Sequence, residues 1–141
     1  DSKTMLAVRP DMPLAETLGS GRLAIADPGG VPAGIYARQS LTRLGLWDSV
    51  KDKLAPAENV RAALALVSRG AAPLGVVYGT DAQADRAVKV VGIFPQTSHE
   101  PISYPVALLA SSNNDEGELF RQFLISSEGK AIFRRFGFGT Q

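Results

Sequence analysis

Short apolar runs, separated by segments rich in glycine, proline or polar residues, predict the β-strands of this chain. Near-continuous apolar runs of this length are typical of strands that are buried on both faces of a sheet. The predicted strands are 22–26, 74–78, 88–94 and 102–109. Pro105 lies inside the last run and favours an edge or crossover position for that strand.

Apolar residues that recur every three or four positions predict the helices between and after these strands. The predicted helices are 14–18, 34–44, 47–54, 60–68, a short one from 81 to 87, and two C-terminal helices that begin near 115 and 127. The segment 55–59 is predicted to be a loop, because it mixes proline, glutamate and asparagine.

Residues that commonly cap helices indicate where several of the predicted helices begin. Asn59 is the expected N-cap of the helix at 60–68, and Asp81 that of the short helix after it. Asp115 and Glu118 have the spacing of a capping box, and Ser127 is the expected cap of the last helix.

The order of these elements predicts an α/β fold, a parallel-type sheet with helices on both faces. We expect three segments: an N-terminal arm at 1–13, an α/β lobe at 14–109, and C-terminal helices at 110–141. The chain begins at Asp1 and its first residues lack a clear period, so we expect a processed or excised piece of a longer protein.

The segment 27–34 is the first candidate for a binding site. It joins an apolar strand to a helix, and its small residues let a ligand approach the backbone. Free N–H groups and the helix dipole at such a junction suit an anion. No Lys or Arg lies between Asp27 and Ala37, so the donors here would be neutral.

Two further features are predicted at the same edge of the sheet, where α/β proteins bind ligands. They are the helix start at Asn59 and Val60, and Tyr78 at the end of its strand. Taken singly, each of the three candidates has an ordinary explanation: the segment 27–34 is a connecting loop, Val60 is an apolar residue in a first helical turn, and Tyr78 is a partly buried tyrosine. Their convergence predicts a pocket of neutral donors, which suits a fully deprotonated oxyanion.

Composition narrows the function classes. The 141 residues suit one domain, and a hydrophobic fraction of 45% is enough for a core. A net charge of +1 indicates no general attraction to nucleic acid, so no nucleic-acid partner is expected. There is no cysteine and only one histidine, His99, so neither a directly bound metal nor a Ser-His-Asp relay is expected. Neither G-x-S-x-G nor a P-loop lysine is present, and we therefore expect no enzyme activity and no cofactor.

Several motifs resemble those of the periplasmic molybdate-binding proteins of ABC importers, which are type II periplasmic binding proteins. The motifs are VPAGIYA, ENVRAALALV, GVVYGTDA, VKVVGIFP, SYPVALL and FRRFGF, and the resemblance covers essentially the whole chain. It implies a periplasmic protein that carries molybdate or tungstate to ABC permease subunits.

The resemblance also implies binding residues. Backbone N–H groups at Ala33 and Val60 and the hydroxyl of Tyr78 would bind the oxyanion, with Pro32, Gly34 and Asn59 supporting them. Relative to the family, this chain lacks the first-lobe segments that supply serine hydroxyls. It resembles the second lobe plus C-terminal helices that return to the first lobe, and so carries about half of the site. We expect these helices to self-associate in the absence of that lobe.

Three alternatives stay open at this point. The chain could be the effector domain of an oxyanion-responsive transcription regulator, which shares this lobe architecture. It could bind another oxyanion, such as sulfate, because donor type is readable from sequence and cavity radius is not. An enzyme is the third class, and turnover of activated esters or phosphates would reveal it.

Overall fold

The computed structural model describes residues 7–140, and the first six residues of the predicted arm lie outside that range. The described residues form two compact units, which divide between Pro101 and Ile102. The domain boundaries predicted after residues 13 and 109 stay predictions.

Seven α-helices and three β-strands make up the regular structure of the described residues. The helices are α1 (Leu14–Leu18), α2 (Pro32–Arg43), α3 (Trp47–Val50), α4 (Val60–Ser68), α5 (Gly79–Ala84), α6 (Asp115–Ile125) and α7 (Ser127–Arg135). The strands are β1 (Leu23–Ala26), β2 (Leu54–Ala57) and β3 (Leu74–Gly75). Two short 3-10 turns, Lys51–Lys53 and Gln96–Ser98, complete the set.

The first unit is built on a parallel sheet with the strand order β2-β1-β3. All four residues of the central strand β1 are buried. Leu23 and Ile25 pack with α2, against Ala37 and Leu41, whereas Ala24 packs with α4, against Ala63. Alternate side chains of a strand point to opposite faces, so helices cover both faces of the sheet. The predicted α/β fold is confirmed.

Strand β2 corrects the prediction of a loop at 55–59. Leu54 to Ala57 pair in parallel with β1, and Pro56 lies opposite Ile25. Proline has no N–H to donate and is tolerated in a strand at a sheet edge, which is where β2 lies. The proline was therefore a poor reason to exclude a strand.

Three strand predictions were too long or wrong. The run 74–78 pairs only at Leu74–Gly75, followed by one further hydrogen bond from Val76 N to Ala24 O of 2.9 Å. The runs 88–94 and 102–109 form no regular strand within residues 7–140. An apolar run becomes a strand only when a neighbouring strand accepts and donates its backbone hydrogen bonds. Neither run has such a neighbour among the described residues.

Capping residues were predicted well for α4 and less well elsewhere. Asn59 caps α4 as expected. Tyr78, not Asp81, precedes α5, while Asn114 and Ser126 cap α6 and α7 one residue before the predicted positions. A capping Asn or Ser side chain accepts hydrogen bonds from the N–H groups of the first helical turn, and the capping residue itself typically has an extended backbone. Asn114 and Ser126 both have that conformation.

The second unit contains α6 and α7 and has little core of its own. The start of α7 lies so close to the end of α6 that a Cβ at Gly129 would overlap the carbonyl oxygen of Phe123. Phe138 contacts Phe133 and Tyr104 edge to face, at ring-centre distances of 6.0 and 5.9 Å. Most of its large apolar side chains are nevertheless exposed: Leu119, Phe120, Phe123, Ile125, Ile132, Phe133 and Phe136.

Candidate functional site

The turn after the central strand β1 is organised by Asp27. Its carboxylate oxygen Oδ1 accepts from the N–H of Gly29 at 3.0 Å, and its carbonyl oxygen accepts from the N–H of Val31 at 3.0 Å. Asp27 also donates its own N–H to the carbonyl of Ala57, at the end of β2, at 2.8 Å. Asp27 therefore shapes the loop and joins it to the end of the neighbouring strand.

The first turn of α2 lies directly against the end of β1. A Cβ at Gly34 would overlap the carbonyl oxygens of Ala26 and Asp27, so only glycine permits this approach. Pro32 occupies the first helical position, where its missing N–H costs nothing. In the part of the chain that the structure describes, the N–H groups of Ala33 and Gly34 donate to no protein acceptor. Such donors suit an anion.

The start of α4 has a similar arrangement at the end of strand β2. The side chain of Asn59 accepts from the N–H of Ala62 at 2.8 Å, and its carbonyl accepts from Ala63 at 3.1 Å. The N–H groups of Val60 and Arg61 donate to no acceptor within residues 7–140. Since Ala57 pairs with Ala26, the starts of α2 and α4 follow the adjacent ends of two paired strands.

Tyr78 lies beyond the end of β3, on the other side of β1 from β2. It is half-buried and forms the N-cap of α5, where its carbonyl accepts from Asp81 at 3.0 Å and Ala82 at 3.1 Å. The three predicted binding residues, Ala33, Val60 and Tyr78, thus each follow the carboxyl end of one of three neighbouring parallel strands. This is the edge at which α/β folds bind ligands.

The sequence interpretation missed the pairing of two charged residues at this edge. The guanidinium Nε of Arg61 lies 2.6 Å from the carboxylate Oδ1 of Asp81. The Asp81 side chain is 8% exposed and that of Arg61 is 66% exposed. Asp81 was predicted as a helix cap, but its side chain pairs with α4 instead. The pairing depends on how α4 and α5 pack, which no local pattern reveals.

Other features of the first unit lie apart from these residues. A shallow depression of about 280 Å³ on the exposed side of α2 contains none of the three predicted binding residues. Its lining is Pro28, Ile35, Arg38, Gln39, Thr42 and Arg43. Among the described residues, no cluster of three or more His, Cys, Asp or Glu could hold a metal ion. In the same part of the chain, no helix has both the length and the apolar character that a membrane span requires.

Comparison with known proteins identifies the family. The sequence profile of the bacterial extracellular solute-binding proteins matches residues 2–139. The chain belongs to this family.

Relatives of this solute-binding family member include proteins named for molybdate. The molybdate-binding protein ModA of Escherichia coli is 53% identical over 121 residues, which are 86% of this chain and 47% of the relative. The protein of that name from Haemophilus influenzae is 45% identical over 119 residues, 84% of this chain and 47% of the relative. The chain therefore spans about half the length of these curated relatives.

Solved structures agree with the fold. The substrate-binding domain of a putative molybdenum ABC transporter from Clostridium difficile matches with a TM-score of 0.74 at 39% identity. That match covers 86% of this chain and 53% of the other. The periplasmic molybdate-binding protein of Azotobacter vinelandii matches with a TM-score of 0.72 at 26% identity, over 96% of this chain and 63% of the other. The resemblance inferred from the sequence motifs is confirmed.

Proposed function

We propose that this solute-binding family member binds a doubly charged tetrahedral oxyanion, molybdate or tungstate, as part of the binding component of an ABC importer. The observation that carries the proposal is the pair of helix starts, α2 and α4. They follow adjacent paired strands, and each has first-turn N–H groups that donate to no acceptor among the described residues. The names of the curated relatives support molybdate as the ligand.

In this proposal three groups bind the oxyanion directly. They are the backbone N–H groups of Ala33 and Val60 and the side-chain hydroxyl of Tyr78. Their order along the sheet edge, β2 then β1 then β3, gives donors on both sides of a ligand placed over the end of β1. Hydrogen bonds to an ionised acceptor are about twice as strong as those between neutral groups. Neutral donors can therefore bind a dianion without any lysine or arginine in the loop.

Three neighbouring residues position these donors and leave them available to a ligand. Pro32 begins α2 with a backbone angle already suited to a helix, and Gly34 lets the first turn reach the end of β1. Asn59 satisfies the N–H of Ala62 and leaves that of Val60 for the ligand. These residues act through backbone geometry, so we place them in support of the donors rather than in contact with the ligand.

The site proposed here is incomplete. Because the chain spans 47% of the relatives from Escherichia coli and Haemophilus influenzae, we propose that further donors come from the portion it does not span. We also propose that the whole protein is periplasmic, transfers its ligand to ABC permease subunits and carries the oxyanion without catalysis. The family description and the names of the structurally similar proteins support this assignment.

The exposed apolar side chains of α6 and α7 have a consequence for this chain on its own. Burying one such side chain fully is worth roughly 1.5–3 kcal/mol, so we expect the 141-residue chain to associate into dimers or larger species. Light scattering after gel filtration at tens of micromolar measures this. A monodisperse monomer of 14.9 kDa that binds no hydrophobic dye would contradict it.

Isothermal titration calorimetry of the full-length gene product tests the proposed ligand. We expect binding of molybdate and tungstate and weaker binding of hydrogen phosphate, because a pocket made of donors cannot accept the proton that hydrogen phosphate carries. An unsatisfied buried group costs about 1–3 kcal/mol. Phosphate binding as tight as molybdate binding would refute the proposed donor set, and tight sulfate binding would assign the site to another oxyanion.

A further inference from the structure

The ion pair between Arg61 and Asp81 differs from the other ion pairs of the described residues in its burial. Asp81 is nine-tenths buried, whereas the acidic partners in the other three pairs, Glu100, Asp48 and Glu118, are between 38% and 87% exposed. The second carboxylate oxygen of Asp81, Oδ2, is buried and has no hydrogen-bond partner in the part of the chain that the structure describes.

This arrangement costs folding free energy. A buried carboxylate must be paired and its lone pairs satisfied, or the loss of hydration exceeds the attraction. Here one oxygen is paired with a guanidinium that is itself 66% exposed, and the other oxygen is unsatisfied. Replacement of a buried ion pair by apolar side chains of similar volume is often neutral or stabilising. Stability alone therefore does not explain an aspartate at this position.

The location of the pair suggests what it does. Arg61 is the residue directly after Val60, in the first turn of α4. Asp81 lies three residues after Tyr78, and its N–H donates to the carbonyl of Tyr78 at 3.0 Å. The ion pair thus connects the two chain segments that carry two of the three proposed donors. These segments are separated in sequence and begin two different helices.

We propose that Arg61 and Asp81 are positioning residues, which hold the start of α4 against the start of α5 so that the Val60 N–H and Tyr78 bind one oxyanion together. The inference rests on the proposed function. It adds a specific role for a buried charge that is not one of the three proposed donors. The pair itself adds no net charge to this edge, because each residue neutralises the other.

The variant Asp81→Asn separates this role from simple electrostatics, because the two predict effects of opposite sign. If Asp81 only contributes charge, its neutralisation removes repulsion and frees the Arg61 guanidinium, so a dianion should bind more tightly. If Asp81 positions the donors, the loss of the ion pair should weaken binding, by roughly two- to thirtyfold.

The experiment measures molybdate affinity by calorimetry in the full-length gene product and in four variants. These are Asp81→Asn, Arg61→Gln, the double variant that combines the two substitutions, and Asp48→Asn. The last removes the exposed ion pair between Asp48 of α3 and Lys51, and serves as the matched control. We expect both site variants to weaken binding, the double variant to recover part of it through a neutral hydrogen-bonded pair, and the control to bind like the parent.

A second measurement follows the backbone directly. In amide NMR spectra without ligand, Asp81→Asn should shift the Val60 N–H resonance, and Asp48→Asn should not. If Asp81→Asn does not fold, Arg61→Lys replaces it: retention of affinity by the lysine and its loss in Arg61→Gln would support the positioning role.

The outcomes distinguish the two proposals. If the parent protein binds no oxyanion, the proposed function fails and this inference falls with it. If the parent binds molybdate but Asp81→Asn binds it equally well or more tightly, the positioning role is refuted and the proposed function stands. Equal loss of affinity in Arg61→Lys and Arg61→Gln would also refute it.

Discussion

Helices α2 and α6 have similar lengths and both carry apolar residues at helical spacing, yet these side chains differ in burial. Leu41 in α2 is fully buried, whereas Phe120 in α6 is 61% exposed. Helix α2 packs on β1, which supplies Leu23 and Ile25 as a surface, and α6 belongs to a unit that has no strand among the described residues. An amphipathic pattern thus gives a helix a face to bury, and only a second layer buries it.

The same contrast applies to the candidate site. All three proposed ligand residues belong to the first unit, where helix starts are held against the ends of strands. In the second unit, α6 and α7 also begin with side-chain caps, but that unit has no strand among its described residues. A helix start becomes a good ligand site when a sheet places it beside another one.

The largest expected effect is the loss of a core side chain. Leu41→Ala should lower the free energy of unfolding by about 2–5 kcal/mol, because it removes buried methyl groups and leaves a cavity. The matched variant Phe120→Ala in α6 should change it far less, since that ring is mostly exposed. Urea unfolding followed by circular dichroism measures both. Because self-association would cover α6, the variants are compared at a concentration at which light scattering shows a monomer. Equal losses there would mean that α6 is covered within the single chain and that the contrast between the units is wrong.

The next effect concerns the ligand. Tyr78→Phe in the full-length gene product removes one hydroxyl donor to a charged acceptor, worth roughly 1.5–3 kcal/mol, or about ten- to a hundredfold in the molybdate dissociation constant. Tyr104→Phe makes the same change in the second unit and should leave affinity unaltered. Val60→Ala should also have little effect, because the proposed contact is its backbone N–H. An unchanged constant in Tyr78→Phe would reduce Tyr78 to a packing residue.

A smaller effect on stability is expected when either of two asparagine caps is removed. The Oδ1 atom of Asn59 accepts from Ala62 N and that of Asn114 from Glu116 N, both at 2.8 Å. Replacing either with alanine should cost about 0.5–2 kcal/mol of helix stability. For Asn59→Ala we expect the cost in global unfolding, because α4 packs on the sheet. For Asn114→Ala we expect only faster hydrogen exchange in the first turn of α6. A global loss from both variants would show that the units unfold together.

The smallest expected effect is a pH dependence confined to α6. Hydrogen bonds from Arg121 and Gln122 lower the pKa of Glu118 from 4.5 to about 2. Because the folded-state pKa is depressed, the ionised Glu118 stabilises the helix fully above pH 4.5, and this stabilisation is lost as the pH falls towards 2. Solvent screens the pair, so the effect is small. Circular dichroism should show a loss of helix over this range that Glu118→Gln lacks, and identical profiles would refute the assignment.

Local sequence patterns were sufficient for the elements whose signals are themselves local. The continuous apolar run of β1 and the Asn59 cap of α4 each determine a boundary through neighbouring residues alone. The start of α2 was predicted at Gly34, two residues after its observed start at Pro32. The same patterns predicted an α/β fold and indicated which loops meet at one edge of the sheet. Ala33, Val60 and Tyr78 as ligand residues remain a proposal supported by that placement.

Tertiary structure decided what depends on partners distant in sequence. Pro56 lies in a strand because β1 is beside it, and the apolar runs 88–94 and 102–109 form none because no described strand pairs with them. The pairing of Arg61 with Asp81 arises from the packing of α4 beside α5. A backbone ladder or a buried ion pair forms only when folding brings both partners together, so a single segment carries no signal for either.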